Sequence, residues 1–367
     1  MMRLLDINQY ADYSYIVSVV IWTAIIMDAG VSNVIFNKGL VNDTKNINTL
    51  LSTRLIISII LFIIISIFYI IKKPEIAISI VIYTAFIFFN SSSSIFKMLA
   101  RSQEHYFEDL KIILIEPILR LIFVLSLLLF FDKTSLNLSL FLLGYLISSI
   151  LAYNINLKAL SKSFNLKFYT KINFESVKST FVLNKHYILY YLILIAIYRI
   201  DIIFMEKYTI KENLSFFSSA RSLLDVVQLF IFTIVTSYFK KIYNSQKNYF
   251  GLITLILLII ITITIFTSKI LYPIIFPIEY INSYNILNYI ILSIIPYFYI
   301  QFFIAKLNFE NKTKYIYILL LIPLIIKISI YQYLKESNIQ FYYITYTFIE
   351  YLTFILFVSF LIIKKKT

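Results

Sequence analysis

The residues best placed to do chemistry in this sequence are the few charges set inside long apolar stretches: Asp28, Arg54, Glu116, Arg120, Arg199, Asp201, Arg221, Asp225, Lys327 and Glu350. An ionised side chain in hydrocarbon costs roughly 2.5–3.5 kcal/mol on insertion scales, so each of these marks either function or pairing. Ser218, Arg221, Ser222, Asp225 and Gln228 recur at helical spacing and form one polar stripe on an otherwise apolar helix. Such a face lines water or packs against protein, and Arg221 on it either holds an anion or pairs with Asp225 one turn on. Glu116 and Arg120, on either side of Pro117, stand four apart in the favourable order and are expected to neutralise each other. Arg199 and Asp201 lie about 200° apart around a helix, so they are not expected to face one cavity together.

Guanidinium groups offer permanently charged, bidentate donors to phosphate oxygens. Buried carboxylates can instead carry a proton, or ligate Na⁺ together with hydroxyl and carbonyl oxygens. Other chemistries are poorly served. The chain has no cysteine, and His105 and His186 are its only imidazoles, so no metal site is expected. Gly30, Gly39, Gly144 and Gly251 are far apart and leave no phosphate-cradling loop, so neither an ATPase engine nor a bound cofactor is expected.

Those charges must be positioned by membrane helices. Of 367 residues, 60% are hydrophobic and only 14% charged, more apolar surface than one water-soluble core can hide. Apolar windows predict spans at 12–36, 50–71, 76–96, 111–131, 137–157, 184–206, 214–238, 250–271, 284–305, 315–334 and 341–363. The expected fold is therefore all-α, a polytopic membrane protein of about eleven transmembrane helices. The many tyrosines at span ends, such as Tyr297, Tyr342 and Tyr343, read as an interfacial belt. The start MMRLLDINQYADYSY lacks the layout of a signal peptide. The net charge of +14 reads as membrane orientation and contact with anionic lipid headgroups, not as nucleic-acid binding.

Lysines and arginines crowd one set of loops, including the connection from Lys158 to Lys185 and the tail Lys364-Lys-Lys366. That side is expected to be cytoplasmic, with the C-terminus on it. A faint repeat aligns Ile7-Asn-Gln-Tyr-Ala-Asp-Tyr13 with Ile210-Lys-Glu-Asn-Leu-Ser-Phe216. In the second half a span precedes this segment, and in the first half none does. The expected organisation is an N-terminal bundle over 1–159 lacking its first helix, a basic amphipathic linker over 160–182 and a six-helix bundle over 183–367. This is five plus six helices from a six-plus-six parent around a central cavity.

Three segments resemble a known family. Arg3-Leu-Leu-Asp-Ile-Asn-Gln-Tyr-Ala-Asp-Tyr13 with Met27-Asp-Ala-Gly-Val-Ser-Asn33, then Ser94 to Arg101, then Tyr198-Arg-Ile-Asp201 with Ser218-Ser-Ala-Arg-Ser222, are similar to the multidrug/oligosaccharidyl-lipid/polysaccharide exporters. Within these they resemble the O-antigen and capsule flippases of Wzx type, with Ala11 where the family usually carries glycine. The resemblance implies two helical bundles in a V around a cavity. It also implies alternating access, a polyprenyl-diphosphate-linked glycan as cargo and an ion gradient of H⁺ or Na⁺ as driver.

On that reading Arg221, Arg120, Arg54 and Arg199 are the cargo-binding candidates, and Asp225, Glu350 and Asp28 are the ion-coupling candidates, with Ser218, Ser222 and Gln228 on the polar stripe. The expected setting is the bacterial inner membrane, with membrane lipids and a glycan polymerase of the same pathway as partners, and no catalysis. The alternatives are a cation-coupled multidrug antiporter, a membrane glycan polymerase or glycosyltransferase, and an inactive truncated remnant. Short loops speak against the enzyme, and arginines outnumbering acids in the spans speak for anionic cargo.

Overall fold

A computed structural model describes residues 5–28, 31, 44–102, 105–130, 137–164, 174–244, 249–310, 312–334 and 340–366. Backbone amides in hydrocarbon must be satisfied within their own segment, and the apolar windows accordingly fold as helices. These are α1 (Ile7–Asp28), α2 (Thr44–Lys72), α3 (Pro74–Ser102), α4 (Tyr106–Phe130), α5 (Leu138–Phe164), α6 (Phe174–Tyr208) and α7 (Lys211–Asn244). They are followed by α8 (Tyr249–Ile275), α9 (Ser283–Ile290), α10 (Ile294–Phe309), α11 (Thr313–Tyr333) and α12 (Gln340–Lys366). Among the described residues there are no strands and eleven helices long and apolar enough to cross a membrane, α9 and α10 forming one span. The chain is an all-α, multi-pass membrane protein.

Local chemistry sets several boundaries. α1 begins at Ile7, ahead of the window at 12–36, because Asp6 Oδ1 accepts the Gln9 amide at 2.7 Å and caps the helix across its polar first turn. Asn137 caps α5 in the same way, through the Leu140 amide at 2.8 Å. Residues 29–30 and 32–43, which hold Gly30 and Gly39, lie outside the described residues.

The ninth span is broken by a 3₁₀ turn at Ile291–Ser293. Pro296 has no amide to give the Leu292 carbonyl one turn back, and the Tyr351 hydroxyl of α12 donates to that carbonyl instead, at 3.3 Å. Thr347 of the same helix donates to the Tyr289 carbonyl at 3.1 Å.

The chain divides into two compact units, one of Met1–Tyr15 with Ile193–Thr367 and one of Ile16–Leu192. Both divisions fall inside helices, α1 and α6. The ends of the basic linker, 160–164 and 174–182, continue α5 and α6, and 165–173 lies outside the described residues. In the Ile16–Leu192 unit α5 packs against α3 and α4, and a Cβ on Gly144 would stand 2.0 Å from the Phe123 ring, so only glycine allows this approach. In the other unit α7, α10 and α12 pack about a core that includes Phe217, Leu224, Ile294, Phe298 and Tyr346. The opening of α1 joins that core through Tyr10 and the fully buried Ala11.

Candidate functional site

Four helices of the Ile193–Thr367 unit bring charges together at membrane depth. α6 supplies Arg199 and Asp201, α7 supplies Arg221 and Asp225, α11 supplies Lys327, and α12 supplies Glu350. Asp201 is the hub and is fully buried. One of its oxygens takes Lys327 Nζ at 2.7 Å and Arg221 Nη1 at 3.4 Å, and the other accepts the Tyr331 hydroxyl. Lys327 also donates to the Ile197 carbonyl. Arg221 continues outward to Asp225, Nε to Oδ1 at 3.5 Å, and Asp225 takes Arg199 Nη2 at 3.1 Å on its other oxygen.

Aromatic rings close the network. The Tyr346 ring lies 4.9 Å from the Arg221 guanidinium and 5.0 Å from Lys327 Nζ, and Gln228 donates to its hydroxyl at 3.2 Å. Glu350 is buried within electrostatic range of Lys327 and Arg221, and its Oε1 makes no hydrogen bond. Three carboxylates thus face three cations, which is what makes burial of six charges tolerable.

Exposure falls off along this chain of contacts. The Asp225 side chain is 33% exposed and Arg199 21%, against 2% for Arg221 and 1% for Lys327, so the Arg199–Asp225 pair is the most accessible end of the network.

The other candidates lie in the Ile16–Leu192 unit. Arg54 is buried, 3.9 Å from Asp28, and gives its guanidinium hydrogens to Ser91 at 2.7 Å and Ser92 at 2.9 Å. Arg120 pairs with Glu116, as their spacing predicts, and its guanidinium lies 4.8 Å from the Phe86 ring and 5.1 Å from the Tyr145 ring. Asn90 donates to the same Glu116 oxygen at 2.7 Å.

The stripe on α7 divides: Ser218, Arg221 and Gln228 are buried, Asp225 is partly exposed, and Ser222 donates to the Ser219 carbonyl of its own helix at 2.7 Å. Arg221 contacts Asp201 as well as the anticipated Asp225. Arg199 and Asp201 join one network despite their angular separation, because α7 offers each a partner and the long arginine side chain reaches round the helix to Asp225. Every arginine of the candidate set has a carboxylate partner, so their number alone does not argue for anionic cargo.

Tyr297, Tyr342 and Tyr343 are buried against protein. In the sequence the hub residues Asp201 and Lys327 stand out only as charges within apolar stretches. Tyr342, Tyr346 and Glu350 repeat every four residues along α12, and Lys327 and Tyr331 do so along α11, which is the signal that could have joined them.

Comparison with known proteins gives a family and a fold. The profile of the family described as polysaccharide biosynthesis protein matches residues 1–239. No curated protein matches significantly. Among solved structures, a MATE protein in complex with MaD3S superposes with a TM-score of 0.64 at 13% identity, over 99% of this chain and 90% of that one. A MOP superfamily transporter from Pyrococcus furiosus, described as having a binding pocket of reverse polarity, gives 0.62 at 9% identity over 95% and 84%. An outward-facing multidrug resistance MATE family transporter of the MOP superfamily gives 0.61 at 10% identity over 94% and 83%. At these identities the likeness is one of fold.

Proposed function

Because the chain belongs to the polysaccharide biosynthesis protein family, we propose that it is a flippase that carries a polyprenyl-diphosphate-linked oligosaccharide across the bacterial inner membrane. The observation that carries this reading is that match, laid over a charge-balanced network within the membrane spans with one partly exposed guanidinium at its end. Within this network Arg199 is the cation a diphosphate reaches first. Its carboxylate partner makes the step an anion exchange: phosphate oxygens replace Asp225 on Arg199, and Asp225 keeps Arg221.

Asp225 is then the natural site at which an H⁺ or Na⁺ couples to cargo, since releasing Arg199 leaves a half-exposed carboxylate short of positive charge. Arg54, held by Asp28 and two serine hydroxyls, and Arg120 and Arg221, held by carboxylate and ring contacts, each set the electrostatics of their own unit in this scheme. The positively charged loops, the C-terminus among them, face the cytoplasm, where the lipid-linked substrate is assembled, and a glycan polymerase takes the product on the other side.

Deleting the gene should make lipid-linked repeat units accumulate on the cytoplasmic leaflet with loss of surface glycan, and Arg199→Gln should reproduce that at normal protein level. Unchanged surface glycan in the deletion strain would sink the proposal. A second reading, efflux of a cationic small molecule, is favoured by the complete pairing of the arginines. It requires instead that deletion raise drug sensitivity and leave glycan untouched.

A further inference from the structure

A cavity of about 260 Å³ lies in the Ile193–Thr367 unit between α7, α8 and the start of the broken span, walled by Leu223, Val227, Thr267, Leu271, Leu287 and Ile291 among others. Three hydroxyls around it are engaged by the protein itself. Thr267 donates to the Ile263 carbonyl at 2.7 Å, Ser268 donates to Asn288 Oδ1 at 2.9 Å, and Tyr272 shares a hydrogen bond with Ser219. The wall therefore presents mostly methyl, methylene and ring carbon. Thr264 adds a fourth hydroxyl, and against so much carbon a water molecule finds few polar partners, whereas a hydrocarbon chain needs none.

The mouth opens at the surface of the unit between membrane spans, where Val226, Ile263 and Ile275 line it and are exposed. Val226 directly follows Asp225, so the open end of the charge network and the mouth of the groove are consecutive positions on α7. An anionic head followed by a long apolar chain would satisfy both. Asp225 lies about 20 Å along α7 from Lys211, near the middle of its span. A bilayer phospholipid keeps its headgroup at the interface, so a head at this depth belongs to a lipid in transit.

We propose that this groove holds the head-proximal isoprene units of the lipid-linked cargo while the diphosphate engages Arg199; the proposal rests on the flippase reading above. The groove fixes the chain beside the helix that bears the head site, so head and tail move across the membrane as one body.

The test uses the purified full chain in lipid nanodiscs, irradiated with a diazirine-bearing polyprenyl diphosphate or, in parallel, a diazirine-bearing phosphatidylglycerol, with cross-linked residues mapped by mass spectrometry. The isoprenoid probe should label Leu223, Val227 or Leu271, and unlabelled polyprenyl phosphate should remove that label where phosphatidylglycerol does not. Val227→Trp and, independently, Thr267→Phe fill the groove and should abolish labelling, while Ile259→Trp on the lipid-facing side of α8 should keep it. Labelling confined to other positions, or equal and uncompeted labelling of the groove by phosphatidylglycerol, overturns the proposal. The two readings fail separately: surface glycan that persists in the deletion strain overturns the flippase, whereas an unlabelled groove in a protein on which glycan export depends overturns only the groove.

Discussion

Replacing Lys327 with methionine keeps the length of the side chain but removes the 2.7 Å ion pair with Asp201 and the hydrogen bond to the Ile197 carbonyl. Asp201, fully buried, is then left with Arg221 at 3.4 Å and the Tyr331 hydroxyl. Taking one partner from a buried pair costs about 3–5 kcal/mol, and because a cation and a donor remain, Lys327→Met should fall near about 3 kcal/mol. Asp201→Asn should cost more, about 5 kcal/mol, because it strips the counter-charge from both Lys327 and Arg221. The double variant leaves neither charge stranded, so it should be less damaging than the sum by about 2–3 kcal/mol. Reversible unfolding of the four proteins in mixed detergent micelles measures the cycle. Additivity within about 0.5 kcal/mol would refute the view that these residues are one electrostatic unit.

Gly144→Ala should destabilise the Ile16–Leu192 unit by about 1–3 kcal/mol, since the new methyl meets the Phe123 ring, and adding Phe123→Ala should recover part of the loss in thermal unfolding. Tyr351→Phe removes the donor that satisfies the Leu292 carbonyl and should cost about 0.5–1.5 kcal/mol, with faster amide exchange at the break in the ninth span; unchanged exchange there would show that the carbonyl is served otherwise. Asp6→Ala should cost about 0.5–2 kcal/mol through loss of the α1 cap, seen as loss of protection at the Gln9 amide.

The spans were legible because a run of some 20 apolar residues admits few structures in a membrane. Their ends were less so: hydropathy places the first turn of α1 outside the span, and the Asp6 cap draws it in. The break in the ninth span follows from Pro296, but its repair by Tyr351 depends on a contact 59 residues away. The same division runs through the site. Single charges stood out against apolar neighbours, and the local pair Glu116–Arg120 could be read from its spacing. The bond between Lys327 and Asp201 joins residues 126 apart, and a pattern along one helix says nothing of which helix will face it. Composition likewise could not tell a tyrosine at the interface from Tyr342 or Tyr346, whose rings serve the interior.

The sequence separations within the network also set an order of biogenesis. Arg221 follows Asp201 by 20 residues, so α6 and α7 can leave the ribosome as a hairpin whose acid already has a base. Lys327 comes 126 residues after Asp201, roughly 6–25 s later at ordinary rates of synthesis. When α11 reaches the bilayer its lysine therefore finds a carboxylate waiting, and insertion of this least greasy of its residues is drawn forward by a partner already in place. A nascent chain carrying Asp201→Asn should pause with α11 incompletely inserted, and normal insertion of that helix would show that the translocation machinery needs no such help.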